Sequence, residues 1–467
     1  MSTDSYNISN IGYQEYNKNF SLLDGRFIVA LGTTLMDILD IPIGVYTSII
    51  LEIALLLSCI SVMILKNIIE KWKKPKTILG EIVLIVASYY TIFHFLYIEN
   101  LHFIECGAMS LSLSLYILAA RQIVEKDRFW MQKMFIQLCI GLICYQGTIS
   151  MFVLSLLVFS ICKGNSAKQI VKDFFHGMLI ALAGILVNQL SIKIVERVLE
   201  LQQGRDINLT TIGNNITYNF SKIFIVLKNT GYLIPQYSFL ITLGITELIM
   251  IVKVVKQNKE KQENKNVNII LEQFAIISVG IAAGFIVSVL NTSGFWAGRA
   301  RFSIGALIGF LWIHLWVKTN LTEKREWINT LLIVGLLIYG LMNSLHYITA
   351  VIDHNKLNEL VKEEVMVMQK DVLQYEEEKK VDVTKIAIVV KDGKTTKSFY
   401  PQLRCYGNIM MSSGIKTQWS AAGCYNYYTN SKLNMYEPTE IEKQEYLEQN
   451  KEYLCMGDTL YITTYMH

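Results

Sequence analysis

Charge is scarce in this sequence: Asp, Glu, Lys and Arg fill 18% of its 467 positions against 52% apolar residues. With a mean hydropathy of +0.34, that balance excludes an ordinary soluble globular class and points to a polytopic helical membrane protein. Proline is equally rare, at five residues, which excludes a Pro-rich linker or a collagen-like tract. No internal repeat and no low-complexity tract is visible. The eight cysteines form no CxxC pair and no Cys/His spacing suited to zinc. Five of them lie in apolar runs, as small buried hydrophobes do. No Gly-rich phosphate loop, HExxH or GxSxG occurs. Polar residues follow Met1 directly, so no signal peptide is expected there. The net charge of +4 says little by itself, and no nucleic-acid partner is expected.

What is present begins with a polar segment, Met1–Pro42, in which Asp4, Asp24 and Arg26 stand out, with a short apolar stretch, Ile28–Ile41, expected to lie along a bilayer interface. Apolar runs follow at about 43–65, 77–98, 101–120, 134–162, 174–196, 237–255, 269–290, 303–317 and 328–350. The run 134–162 is too long for one crossing and holds Tyr145-Gln146-Gly147 at its middle, so it splits into two helices meeting at a tight turn. The expected total is about ten crossings within 43–352.

Lysine and arginine set the orientation. They concentrate in Lys66–Lys76, Arg121–Lys133, Lys163–Lys172, Lys253–Lys265 and Lys318–Arg325, which all fall on one side of such an arrangement. That side is cytoplasmic by the positive-inside rule. The first segment, the turns near Glu99 and Tyr145, the loops 197–236 and 291–302 and the tail from Asp353 then face outward, in the cell membrane. An outward start invites the expectation of a first membrane helix entering before Ser2, missing from this chain; direct translocation of the polar head is the alternative.

The tail 353–467 differs in material. Leu357–Gln374 repeats apolar residues at helical spacing, and Lys385–Val390 and Thr459–Thr464 read as strands, giving a small extracytoplasmic α/β domain over the membrane part. Cys405, Cys424 and Cys455 lie in it, as one disulfide plus a thiol or as three thiols.

Ionisable residues gather at the outer face. Glu99, His102 and Glu105 fall at one turn, Asp4, Asp24 and Arg26 in the first segment, and Arg205, Arg299 and Arg301 in later loops. A carboxylate there can take a proton from an acceptor hydroxyl, and arginines can hold a departing phosphate. Blander roles compete: snorkelling arginines at 299 and 301, a turn closed by its own ion pair at Asp24-Gly25-Arg26, headgroup-solvated Glu99 and Glu105, a structural His102, and packing or capping by Tyr145 and Gln146.

Taken in order, Thr3-Asp4-Ser-Tyr-Asn, Asp24-Gly-Arg-Phe, Cys144-Tyr-Gln-Gly147, Gly298-Arg-Ala-Arg301 and the α/β tail resemble the bacterial polytopic membrane glucosyltransferases of the O-antigen-modifying type, a GT-C-like family. The resemblance covers essentially the whole chain, through short motifs. It implies transfer of a sugar, usually glucose, from a polyprenyl phosphate carrier to a surface polysaccharide. It implies Asp4 as the acid residue of the first outer loop, Asp24 and Arg26 at the donor and acceptor mouth, and Arg299 and Arg301 on the carrier phosphate. Glu99 joins Asp4 and Asp24 as a candidate catalytic acid, and Glu105, Tyr145, Gln146 and Arg205 join the arginines as candidate substrate-binding residues. One acid stands at Thr3-Asp4 where many relatives have a pair, which leaves use of a divalent metal open. A carrier flippase and a carrier-charging transferase are the partners the family implies. The competing classes are a transporter of lipid-linked saccharide, which calls for broken helices with charges at mid-depth, and a non-catalytic scaffold.

Overall fold

In the computed structural model, residues 1–201, 211–228, 234–258, 263–290, 298–319, 327–391, 396–404 and 412–465 are described. Helices make up 76% of the structure, which settles the class as helical. The polar start is itself folded: α1 (Thr3–Ile11), α2 (Tyr13–Tyr16), one π turn (Asn17–Ser21) and α3 (Phe27–Ile38) precede the first long apolar helix, α4 (Ile43–Trp72). Then come α5 (Ile78–Ile92), α6 (Cys106–Glu125), α7 (Trp130–Cys144), α8 (Ser150–Cys162) and α9 (Ala167–Val198). The second half holds α10 (Ile212–Leu227), α11 (Ser238–Asn258), α12 (Glu263–Ala283), α13 (Ile286–Leu290), α14 (Phe302–Lys318) and α15 (Trp327–Lys379).

Among the described residues five helical segments, Ile43–Trp72, Cys106–Glu125, Ala167–Val198, Gly298–Lys318 and Ile333–Lys379, are long and apolar enough to cross a bilayer. They differ in surroundings: the apolar window of Gly298–Lys318 is 94% buried and that of Ala167–Val198 only 22%. The first is therefore a central post, whereas α9 presents Leu179, Leu182, Leu186, Leu190 and Ile194 outward at helical spacing, a face that only lipid would solvate well. Helix α8, buried along its whole length, packs between α6 and α14, while α5 packs on α14 and α4, and α7 packs on α6 and α9 with Met131, Ile136 and Ile140 exposed. At Gly309 the backbones of α14 and α5 meet so closely that an added Cβ would lie 2.6 Å from the Ala87 carbonyl oxygen. Hydroxyl pairs join helices inside this core, Ser61 to Ser114 at 2.6 Å and Ser112 to Thr148 at 2.6 Å.

The basic connections 66–76, 121–133 and 163–172 meet at one end. Lys73 Nζ donates to the carbonyls of Trp316, Val317 and Thr319 at 2.8, 2.9 and 3.2 Å, satisfying the last turn of α14. Lys163 Nζ caps α6 through Val124 O at 2.6 Å, and Lys126 pairs with Asp173 at 2.9 Å. The turns around residues 99, 145 and 299 meet at the other end.

Helix α15 runs unbroken for 53 residues, where the apolar pattern leads one to expect a span ending near 350 and a separate helix from 357. Its far half carries the α/β part: α16 (Thr396–Phe399), α17 (Ala421–Thr429), α18 (Glu440–Glu448) and four strands, β1 (Lys385–Lys391), β2 (Asn434–Tyr436), β3 (Tyr453–Met456) and β4 (Thr459–Tyr465). The sheet order is β2-β1-β4-β3, with β1 parallel to both neighbours and β3 antiparallel to β4. Lys385 pairs with Thr459 and Lys391 with Tyr465, so the two segments that read as strands lie side by side. Val361, Val365, Met368 and Val372 turn the apolar stripe of α15 into the core they share with Ile386 and Leu460. Cys424 and Cys455 are free thiols, and Cys405 lies outside the described residues.

Candidate functional site

The first segment docks on the α/β part as well as on the membrane helices. Tyr6 is buried, its hydroxyl 2.6 Å from that of Tyr428 and 3.1 Å from Asn358 Oδ1. A Cβ at Gly423 would come within 2.1 Å of the Tyr6 carbonyl oxygen, so only glycine lets α17 lie this close to α1. This contact fixes α1, and with it Asp4 in its first turn, at the joint between the two parts.

Facing Asp4 is the entrance to α6. Glu105 is the residue just before that helix, and its carboxylate accepts from Arg26 Nη1 at 2.5 Å and from the Tyr16 hydroxyl at 3.2 Å. The other Arg26 nitrogen holds Asp24 at 3.0 Å, and the guanidinium lies 5.2 Å from the centre of the Tyr145 ring. Asp24-Gly25-Arg26 is thus a turn closed by its own ion pair, with Gly25 at φ 69°, and Arg26 also reaches 79 residues ahead to Glu105. Gln146 Nε2 secures that turn by donating to the carbonyls of Asp24 at 2.9 Å and Gly25 at 3.3 Å. The break at Tyr145-Gln146-Gly147, between α7 and α8, has this holding role; Gln146–Thr148 form a 3-10 turn.

Glu99 sits in a 3-10 turn after α5, 1% exposed, with one oxygen 2.8 Å from Arg299 Nη1 and the other 2.9 Å from the Arg299 backbone N. Arg299 in turn lies 4.1 Å above the Phe103 ring. Arg301, fully buried, donates to Asn219 Oδ1 at 2.6 Å. The structure therefore draws Asp4, Asp24, Arg26, Glu99, Glu105, Tyr145, Gln146 and Arg299 to one end of the helix bundle, with Arg301 turned inward to α10. Arg205 lies outside the described residues. Sequence reasoning missed Tyr16, Phe103, Asn219 and Trp419; the tyrosines and asparagines of the first segment were the one local sign of a polar, ordered start.

Asp4 is the acid of this group with no guanidinium in ion-pair range, among the described residues. Burial pushes its carboxyl above the ordinary range and the negative Glu105 pushes the same way, while Arg299, the indole N–H of Trp419 and Arg26 pull back. Burial, with Glu105 and Asp4 nearby, also holds the Tyr16 hydroxyl firmly protonated, so it donates to Glu105 at any working pH. Asp24, Glu99 and Glu105 are each committed to an arginine. Among the described residues no three His, Cys, Asp or Glu gather to hold a metal ion, and no step here is routed through one. No protein-family model, curated protein or solved structure matches the chain.

Proposed function

We propose that the chain is an integral-membrane glycosyltransferase, moving a sugar, in the first instance glucose, from a polyprenyl phosphate carrier to a surface polysaccharide at the outer face. The observation that carries this reading is one raised carboxyl, Asp4, beside two arginines, Arg26 and Arg299, at the end of an apolar helix bundle roofed by an α/β domain. An acceptor hydroxyl gives its proton to Asp4 as its oxygen bonds to the anomeric carbon. The carbon's bond to the phosphate oxygen breaks, and the phosphate leaves with its extra negative charge facing Arg26 and Arg299. Asp4 suits the base's part because burial raises its pKa, which makes its carboxylate a stronger base than a solvated one. Glu99, Glu105 and Asp24 hold the arginines, and Tyr145 and Gln146 hold the turn that carries Arg26. In this reading α5, α7, α8, α11 and α12 also cross, giving about ten crossings of GT-C-like type with the lysine-rich end in the cytoplasm. A carrier flippase and a charging transferase would supply the donor.

A second reading, a transporter of lipid-linked saccharide, draws support from Glu272, which bonds His314 at 2.8 Å and Lys318 at 3.1 Å between α12 and α14. That cluster lies near the lysine-rich end of α14 rather than at mid-depth, so the transferase stands first. Vesicles loaded with the chain and polyprenyl phosphate-[14C]glucose separate the two. The transferase puts label into added surface polysaccharide; label that crosses the bilayer still on its lipid, with none transferred, would replace the enzyme by the transporter.

A further inference from the structure

The α/β part brings one aromatic residue to the candidate site that no role has yet absorbed. Residues 413–417 and Ser420 are buried, and only Gln418 and Trp419 emerge from this turn, the indole 49% exposed. The turn beneath is built to hold them. Lys416 Nζ is gripped by Glu364 at 2.5 Å and Glu452 at 2.6 Å, Thr417 Oγ1 donates to Ser413 O at 2.8 Å, and Ser420 Oγ donates to Gly414 O at 2.7 Å. Gly414 itself packs on the Tyr6 ring, which holds the turn against the helix bearing Asp4. Trp419 lies just before α17, whose Gly423 backbone abuts Tyr6 of the helix bearing Asp4, and its indole is among the groups that pull the Asp4 carboxyl down.

A rigid turn that leaves its largest apolar ring in solvent gains nothing from it by folding alone. A sugar ring has one face of C–H groups and a rim of hydroxyls; an indole offers the flat apolar surface for the first, and the neighbouring Gln418 amide offers hydrogen bonds to the second. Resting on the proposed transferase activity, we infer that Trp419 is the platform on which the accepting sugar of the polysaccharide stacks, with its reactive hydroxyl directed to Asp4. The α/β domain is then the acceptor-binding half of the site, and the membrane helices with Arg26 and Arg299 the donor half. Trp419 is a positioning residue: it does not move a proton.

The test uses the full chain in nanodiscs, with polyprenyl phosphate-[14C]glucose as donor. The acceptor probe is surface polysaccharide from the cells that naturally carry this chain, cut to oligosaccharides. Donor hydrolysis without acceptor, transfer kinetics, and oligosaccharide binding by saturation-transfer NMR without donor are measured side by side. For Trp419→Ala the acceptor KM rises by about tenfold or more, as loss of one aromatic stack implies, and transfer falls by more than donor hydrolysis does. Trp419→Phe, which keeps a ring but no N–H, recovers most of the acceptor KM. An unchanged acceptor KM in Trp419→Ala, as for a ring that only anchors in headgroups, overturns the inference, as does an equal loss of hydrolysis and transfer. If the wild type neither hydrolyses nor transfers, the enzymatic reading fails by itself. Oligosaccharide binding that disappears in Trp419→Ala then still supports the platform, and binding absent from the wild type or equal in both chains removes it.

Discussion

Replacing Glu99 by alanine probes the best-defined charge contact of the candidate site. The carboxylate is 1% exposed and the Arg299 side chain 11%, and two bonds join them, to Nη1 at 2.8 Å and to the backbone N at 2.9 Å. Alanine removes both bonds and leaves a guanidinium nine-tenths out of solvent without its counter-charge. Removing one partner of such a buried pair costs about 3–5 kcal/mol. Glutamine keeps an acceptor for the backbone N–H and loses the charge, for which about 1.5–3 kcal/mol is expected. Arg299→Ala in the Glu99→Ala background removes the stranded charge, so the double variant is less damaged than the sum of the singles, by a coupling of about 2–3 kcal/mol. Unfolding in mixed micelles against rising SDS fraction, with both singles and the double variant, closes the cycle. Strict additivity would refute the claim that these two residues stabilise this end of the bundle through each other.

Two pH effects follow from neighbouring groups. Burial pushes His102 down to about 4, so the folded chain holds it neutral while the unfolded chain protonates it from 6.5 downward. Its contribution to stability is complete above pH 6.5 and is lost as pH falls toward 4, by about 2 kcal/mol between pH 7 and pH 5; melting curves at those pH values should converge for His102→Gln relative to the wild type. Glu105 raises the Asp4 pKa, and it also neutralises Arg26, so Glu105→Gln lowers that pKa on both counts. The acidic limb of the transfer pH profile then moves to lower pH; a limb that stays in place or moves up would separate Asp4 from the titration that controls the rate.

Much of the frame was legible because it rests on local pattern. The long apolar run broken by Tyr145-Gln146-Gly147 is two helices, α3 begins one residue before the expected interfacial stretch, and the two β-rich segments of the tail pair in one sheet. Three of the lysine-rich connections, 66–76, 121–133 and 163–172, lie at one end, as their distribution implied. What could not be read depends on partners distant in sequence. Nothing near Glu105 announces Arg26, and nothing near Glu99 announces Arg299, 200 residues on. Asp24-Gly25-Arg26 left two roles open because a turn that closes on itself and an arginine that reaches across the bundle have the same sequence. The polar loop expected over 197–236 contains α10, whose Asn219 receives Arg301, and the unbroken course of α15 is set by its packing on the sheet where a boundary was expected. Trp419 had no motif at all; its place comes from the fold of the turn beneath it.

In the proposed transfer Asp4 takes the acceptor's proton, and Asp4→Asn tests that step, because asparagine keeps the size of the side chain while removing the base. In the nanodisc assay with polyprenyl phosphate-[14C]glucose, the account predicts a protein that inserts and melts like the wild type and transfers slower by at least about a hundredfold, the usual range for a positioned base. Transfer at the wild-type rate by a folded Asp4→Asn chain would contradict it.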